Sequence, residues 1–327
     1  MDDARRVYIN GLGLAIGDFR EFETLTKALP DSGNFLPKQV LSIQKLSNKI
    51  QLRKMDRISK LSLLAALRAR DDAQLLNMEK VGTVFNSVFG PLQTNLALAQ
   101  YIIDKDIDGV SPSMFTNTVN NACVGYVCLE LGCKGVSTML LESNYVGYSI
   151  HLIKSNKADM ILAGGFDEYT GSIFKRIEEN GYDVVEGAAV LALGNRITPN
   201  TYCEILGYYE AMIGEHPYYC TEKKDYRENI KSIINKAMEK AQVTAEDISG
   251  LVSEAPAVQK DEEQAVQSIF DMQEFFINEI KSDALGASIG VGLGIASVLL
   301  KQAKNSVLLV TNLDYSGVYR VFIVKRI

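Results

Sequence analysis

The sequence is poor in histidine: its 327 residues contain two, His151 and His216. Little imidazole is therefore on hand for proton transfer or metal ligation. No Cys-x-x-Cys pair occurs. The five cysteines, Cys123, Cys128, Cys133, Cys203 and Cys220, are odd in number, and the first three recur every fifth residue, which is not a ligand spacing. They read as reduced thiols, mostly buried. No metal site and no dissociable organic cofactor is implied. Proline is scarce at seven residues. No Pro/Ser/Gly-rich linker or low-complexity tract divides the chain, which argues against disorder.

Positive charge is also short. The net charge is −6, with no basic stripe, so nucleic-acid binding is not expected. Met1 to Arg6 lead straight into a strand-like run without the apolar core of a signal peptide. The longest apolar stretches are broken by Gly, Ser or Lys before the ~18 residues that a membrane span needs. The expectation is a cytoplasmic protein with no membrane span.

What is present is an ordinary globular balance, 47 % apolar and 23 % charged residues. Strand-like runs alternate with helical patterns. Strands are expected at Val7–Gly13, Val81–Phe85, Val136–Leu141 and Met160–Ala163, the last closed by Gly164-Gly165. Ala188–Leu193 and Glu204–Gly207 look like sheet-edge strands. Gly250–Ser253, Val307–Thr311 and Tyr319–Val324 complete the set. Helices are expected at Met55–Leu76, Leu92–Ile103, Val146–Lys154 and Tyr226–Ala241, and another opens in the Gly-rich segment 286–294. This alternation implies an α/β protein with buried, mixed or parallel sheets, in two successive β/α halves, 1–197 and 198–327.

Several short blocks, in order, resemble the β-ketoacyl synthase branch of the thiolase-like superfamily. Lys54-Met55-Asp56-Arg57-Ile58 resembles the family's Arg-Met-Asp-Arg-Phe helix start. Val110-Ser111-Pro112 with Asn121 and Gly125, Ala158-Asp159 with Ala163 to Glu168, and Gly181 to Ala188 match further blocks. The resemblance covers nearly the whole chain. It implies a thiolase-like, five-layered αβαβα sandwich of two pseudo-repeated halves with truncated loops. It also implies dimerisation.

The same resemblance shows what is missing. Decarboxylative condensation needs a cysteine thiolate, two histidines and backbone N–H donors for the thioester oxygen. Along Gly135 to Asn144, the nucleophile's place falls on Asn144, with Gly147 retained in the following helix. After the strand Leu251-Val252, the first histidine's place falls on Ala255 or Pro256. After Lys281-Ser282, the second falls on Ala287. Neither His151 nor His216 has the required context. The stretch from Glu168 to Gly181 is shorter than the family's, and Asp314 to Tyr319 replaces its Gly-Phe-Gly-Gly loop.

Four functional readings follow from the resemblance. The first is a non-catalytic chain length factor-like subunit of a type II polyketide system, aromatic polyketide or aryl polyene. It would pair with a catalytic ketosynthase through the strand Val136–Leu141. It would shape the acyl tunnel through Phe115, Thr116, Asn117, Thr118 and Val119, unless these form only a loop. Acyl carrier protein would reach it through the complex, since an acidic carrier finds no broad positive field here. The second is a malonyl-carrier-protein decarboxylase using Asn144. The third is an enzyme with its nucleophile relocated to Cys123. The fourth is a purely structural stabiliser of the ketosynthase.

Overall fold

Strand β1 (Val7–Ala15) is buried at every position, and helix α2 lies directly on its backbone. Two glycines make this possible: a Cβ on Gly13 would sit 1.9 Å from the Ala65 carbonyl oxygen, and one on Gly11 would sit 2.6 Å from Ala73. Helix α2 (Arg57–Asp72) answers with Ala65, Ala66 and Ala69, and it starts at Asp56, whose carboxylate accepts from Ser59 N at 3.0 Å. A computed structural model describes residues 5–38, 54–105, 109–214, 224–273, 275–302 and 306–327. His216 and Cys220 lie outside the described residues.

The remaining elements are α1 (Phe22–Ala28), β2 (Gly82–Ser87), α3 (Leu92–Lys105), α4 (Pro112–Thr116), α5 (Ala122–Leu131), β3 (Ser137–Leu141), α6 (Tyr145–Lys154), β4 (Met160–Asp167), α7 (Gly171–Glu179), β5 (Asp183–Val184) and β6 (Gly187–Gly194). They continue with β7 (Cys203–Met212), α8 (Arg227–Ala241), β8 (Ile248–Glu254), α9 (Gln259–Gln267), β9 (Phe276–Glu279), β10 (Ser282–Asp283), α10 (Ser288–Gln302), β11 (Val307–Leu313) and β12 (Val318–Arg326).

Ten strands join in the order β3-β2-β4-β6-β1-β7-β12-β11-β8-β9, and β5 and β10 form a small parallel pair. The order contains a repeat. In the first half β2 is parallel to β3 and β4, β4 antiparallel to β6, and β6 antiparallel to β1. In the second, β8 is parallel to β9 and β11, β11 antiparallel to β12, and β12 antiparallel to β7. The halves meet where Val7, Tyr8 and Ile9 pair with Ile205, Glu204 and Cys203. Helices α2 and α5 cover the outer face of the first half, and α8 and α9 that of the second. Between the halves lie α6 and α10, the latter touching β4 and β6 on one side and β8, β11 and β12 on the other. This is the five-layered thiolase-like sandwich.

Several expectations are corrected. Strands β6 and β7 are central, and β6 is wholly buried; the sheet ends instead at β3 and β9. Their small and polar residues look like an edge, but neighbours across a sheet are set by distant segments. Strand β4 does not close at Gly164-Gly165 but runs on to Asp167. The glycines are needed there because a turn presses on the strand: a Cβ on Gly165 would lie 1.7 Å from the Gly286 carbonyl oxygen. A segment long and apolar enough to span a membrane does exist, Leu285–Gln302, 18 residues, yet 83 % of it is buried inside the protein as the middle-layer helix.

Candidate functional site

Asn144 stands at the junction of β3 and α6, 7 % exposed. Its side-chain oxygen caps the helix, accepting from Gly147 N at 2.7 Å, and its Nδ2 donates to Glu210 Oε2 at 3.0 Å. Gly147 leaves room for this cap, since a Cβ there would meet Asn144 Nδ2 at 2.6 Å. Glu210 Oε2 also accepts from Arg320 Nε at 2.7 Å. The same guanidinium donates to Asp314 and, at 3.4 Å, to Asn312 Oδ1. Asp314 in turn shapes the β11–β12 turn, accepting from Ser316 N at 3.1 Å, Ser316 Oγ at 2.7 Å and Val318 N at 2.9 Å. The turn's Tyr315 packs edge-on against Phe89, ring centres 5.2 Å apart. Burial, with the nearby Asp314 charge, holds the Glu142 carboxyl above the usual carboxylate range, against the pull of Arg320.

Ala287 meets Asn144 through their neighbours. Gly165 is the meeting point: its Cβ would lie 2.9 Å from the ring of Tyr145, beside Asn144, and 1.7 Å from Gly286 O, beside Ala287. Ala287 is fully buried in the middle layer. Its turn is tied down by Asp167, whose carboxylate accepts from Gly286 N at 2.9 Å, Ser87 Oγ at 2.7 Å, Val88 N at 2.9 Å and Phe89 N at 3.0 Å. Burial pushes Asp167 up to about 6 despite these four donors.

At the end of β8 the side chains divide between two layers. Ala255 packs with the α8-side cluster, away from the middle layer, and Pro256 begins a single 3-10 turn. The residue facing the middle layer is Glu254, fully buried, with its Cγ 3.1 Å from where a Gly292 Cβ would lie. Strand alternation explains the division, because adjacent residues face opposite layers. Burial pushes the Glu254 carboxyl well above its ordinary value, the Asp283 charge adds to this, and a Ser288 hydrogen bond opposes it.

Other singled-out residues are not gathered here. His151 is exposed on α6. Cys123 is buried against α2, its Sγ 3.3 Å from Asn120 O, and burial, with the Asp56 charge, pushes its thiol up to about 12. A relocated nucleophile needs the opposite shift. Phe115 and Val119 are 64 % and 48 % exposed at the end of α4 and beyond it. Thr116 and Thr118 turn their hydroxyls to their own segment, on Pro112 O at 2.8 Å and Phe115 O at 2.7 Å. Asn117 does not face outward with them. It is buried, donating to Lys54 O at 2.9 Å and accepting from Tyr126 OH at 2.9 Å.

Sequence reasoning passed over Glu210 and Arg320, which lie 110 residues apart. One signal was present. Arg320 is the lone charge in Val318-Tyr319-Arg320-Val321-Phe322-Ile323-Val324, where a buried partner is the usual requirement.

The geometry offers an immobilised amide, a buried ion pair and buried carboxyls. The fold is that of the β-ketoacyl synthases, and the sequence is similar to theirs. No protein-family model matches it. It is 23 % identical over 301 residues to a 3-oxoacyl-[acyl-carrier-protein] synthase 2 of Staphylococcus aureus, covering 79 % of this chain and 74 % of that protein. A Synechocystis synthase of the same description is 26 % identical over 159 residues, covering 46 % of this chain and 38 % of its own. Among solved structures, a β-ketoacyl synthase from Burkholderia phymatum matches with a TM-score of 0.80 at 18 % identity, covering 99 % of this chain and 100 % of its own. The ishigamide ketosynthase/chain length factor matches with 0.79 at 15 %, covering 98 % and 99 %. A type II polyketide ketosynthase in complex with its acyl-carrier protein matches with 0.78 at 14 %, covering 99 % and 100 %.

Proposed function

We propose that this chain is a non-catalytic, chain length factor-like subunit that pairs with an active ketosynthase and closes the partner's acyl tunnel at the interface. One observation carries the reading. Asn144, at the nucleophile's place, is spent on capping α6 and on binding Glu210, and an amide held this way cannot carry an acyl group. The surface agrees. Strand β3 ends the sheet, and apolar side chains stand exposed on α5, β3 and the α4 region: Leu129 at 80 %, Leu141 at 48 % and Phe115 at 64 %. Unpaired strand edges and apolar patches of this kind favour a permanent partner. Carrier protein would dock on that partner.

The test is co-expression with the ketosynthase encoded nearest to it. A one-to-one complex is expected on size exclusion, with acyl thioester found by mass spectrometry only on the ketosynthase. A stable monomer that ignores the ketosynthase, or an acyl group trapped on this chain, overturns the reading.

Malonyl decarboxylation has one observation in its favour, the buried Glu254 facing the middle layer, since burial raises its pKa and a carboxylic acid can donate to an enolate oxygen when protonated. Release of labelled CO₂ from malonyl-carrier protein by the isolated chain, lost in E254A, would select this second reading.

A further inference from the structure

We infer that Arg320 decides what the former reaction chamber can hold: with Glu210 and Asp314 it forms a fixed ionic plug that keeps acyl thioesters out, even where a nucleophile is restored. The inference rests on Asn144 occupying the nucleophile's place. It goes further in one respect. A lost cysteine alone leaves an inert site, whereas this plug sets charged side chains beside it.

The plug is set by strand register. Arg320 of β12 lies directly opposite Glu210 of β7 on one side and Asn312 of β11 on the other. Its guanidinium meets a side chain from each neighbour and Asp314 from the turn. The Arg320 side chain is only 4 % exposed, with Asp314 at 12 % and Glu210 at 35 %. The chain of bonds then crosses to the first half, from Glu210 to the Asn144 amide at the N-terminus of α6. Glu142, whose carboxyl feels both Asp314 and Arg320, adds a further acid beside them.

An acyl thioester brings one carbonyl and an apolar tail. It cannot replace the charged partners of a buried guanidinium, so its arrival would leave charges unpaired. The turn that would have to open is held by Asp314 and by the Tyr315–Phe89 contact.

The experiment compares N144C with N144C/E210Q/R320M/D314N, each as the full chain with whatever ketosynthase co-purifies. Peptide-resolved mass spectrometry follows alkylation of the introduced thiol by iodoacetamide and by chloroacetyl-pantetheine. We expect the neutralised variant to react at least tenfold faster with both. Equal rates in the two proteins, or reaction of N144C as fast as an exposed thiol, overturn the inference. Circular dichroism checks folding. Should the quadruple variant fold poorly, N144C/E210Q/R320Q, which keeps polar groups at both places, carries the same comparison. The outcomes stay separate from those of the pairing reading: failed co-purification sinks the pairing, and an unchanged thiol rate sinks the plug.

Discussion

Gly165 of β4 and Gly286 meet backbone to backbone, so close that a methyl group on the first would lie 1.7 Å from the carbonyl oxygen of the second. This contact seats the turn bearing Ala287 against the strand. G165A should therefore lose about 1–3 kcal/mol or more of stability, as overpacked cores do. Chemical denaturation reads the loss, and an unchanged midpoint would show that the turn is not seated as described.

Removing the guanidinium alone should cost more than removing the whole ionic group. R320A leaves Glu210 and Asp314 facing each other without a cation. A loss of about 3–5 kcal/mol is expected, toward the lower end because Glu210 keeps some contact with water. E210Q/R320M/D314N should lose less in the same urea titration. The reverse ranking contradicts the network described here.

Stability should depend on Glu168 in a particular direction. Burial, reinforced by the Asp56 and Glu186 charges and opposed by the Gln93 N–H and Arg57, pushes its carboxyl from 4.5 up to about 7. The folded protein thus binds a proton that the unfolded chain has released, and stability falls as pH rises from 4.5 to about 7. Asp167, up to about 6, acts with the same sign. E168Q should gain on the wild type at about pH 8, by no more than about 3.4 kcal/mol, and the gain should vanish below about pH 4. Thermal midpoints across this range check it.

The two ends of the molecule differ in how far the sequence reveals them. Helices α2, α6 and α8 and the strands around them show in their apolar spacing, because one face of each is buried continuously. The central places of β6 and β7 do not show, since nothing in Gly187–Gly194 or Cys203–Met212 says which strands lie alongside. The site divides the same way. The expectation at Asn144 and Ala287 rests on spacing to a glycine and to a Lys-Ser pair, which the sequence carries. Glu254 lay outside the alternatives, Ala255 and Pro256, because the sequence does not say which residue at a strand end turns toward the middle layer. Arg320 and Glu210 become neighbours through register alone.

Charging the exposed apolar face should abolish pairing without unfolding the chain. L129E/L141E is expected to lower recovery of the ketosynthase in a pull-down by at least tenfold on the order of an interface hot spot, with the circular dichroism spectrum unchanged. Full recovery would move the interface elsewhere.

Bulk at the α4 region separates a tunnel-shaping subunit from a mere stabiliser. T116F or T118F in the co-expressed pair should shorten the product, read by mass spectrometry of the released chain. An unchanged product with an intact complex selects the stabiliser.

The helix walled on both sides by strands of the two halves has a consequence for how the molecule comes apart. Neither half can shed its share of α10 without baring the other's interior, so heat should melt the chain in one cooperative step. A fragment ending near residue 197 would lack α10 altogether. With α6 alone left to cover the inward sides of β4 and β6, it should survive only as an aggregate.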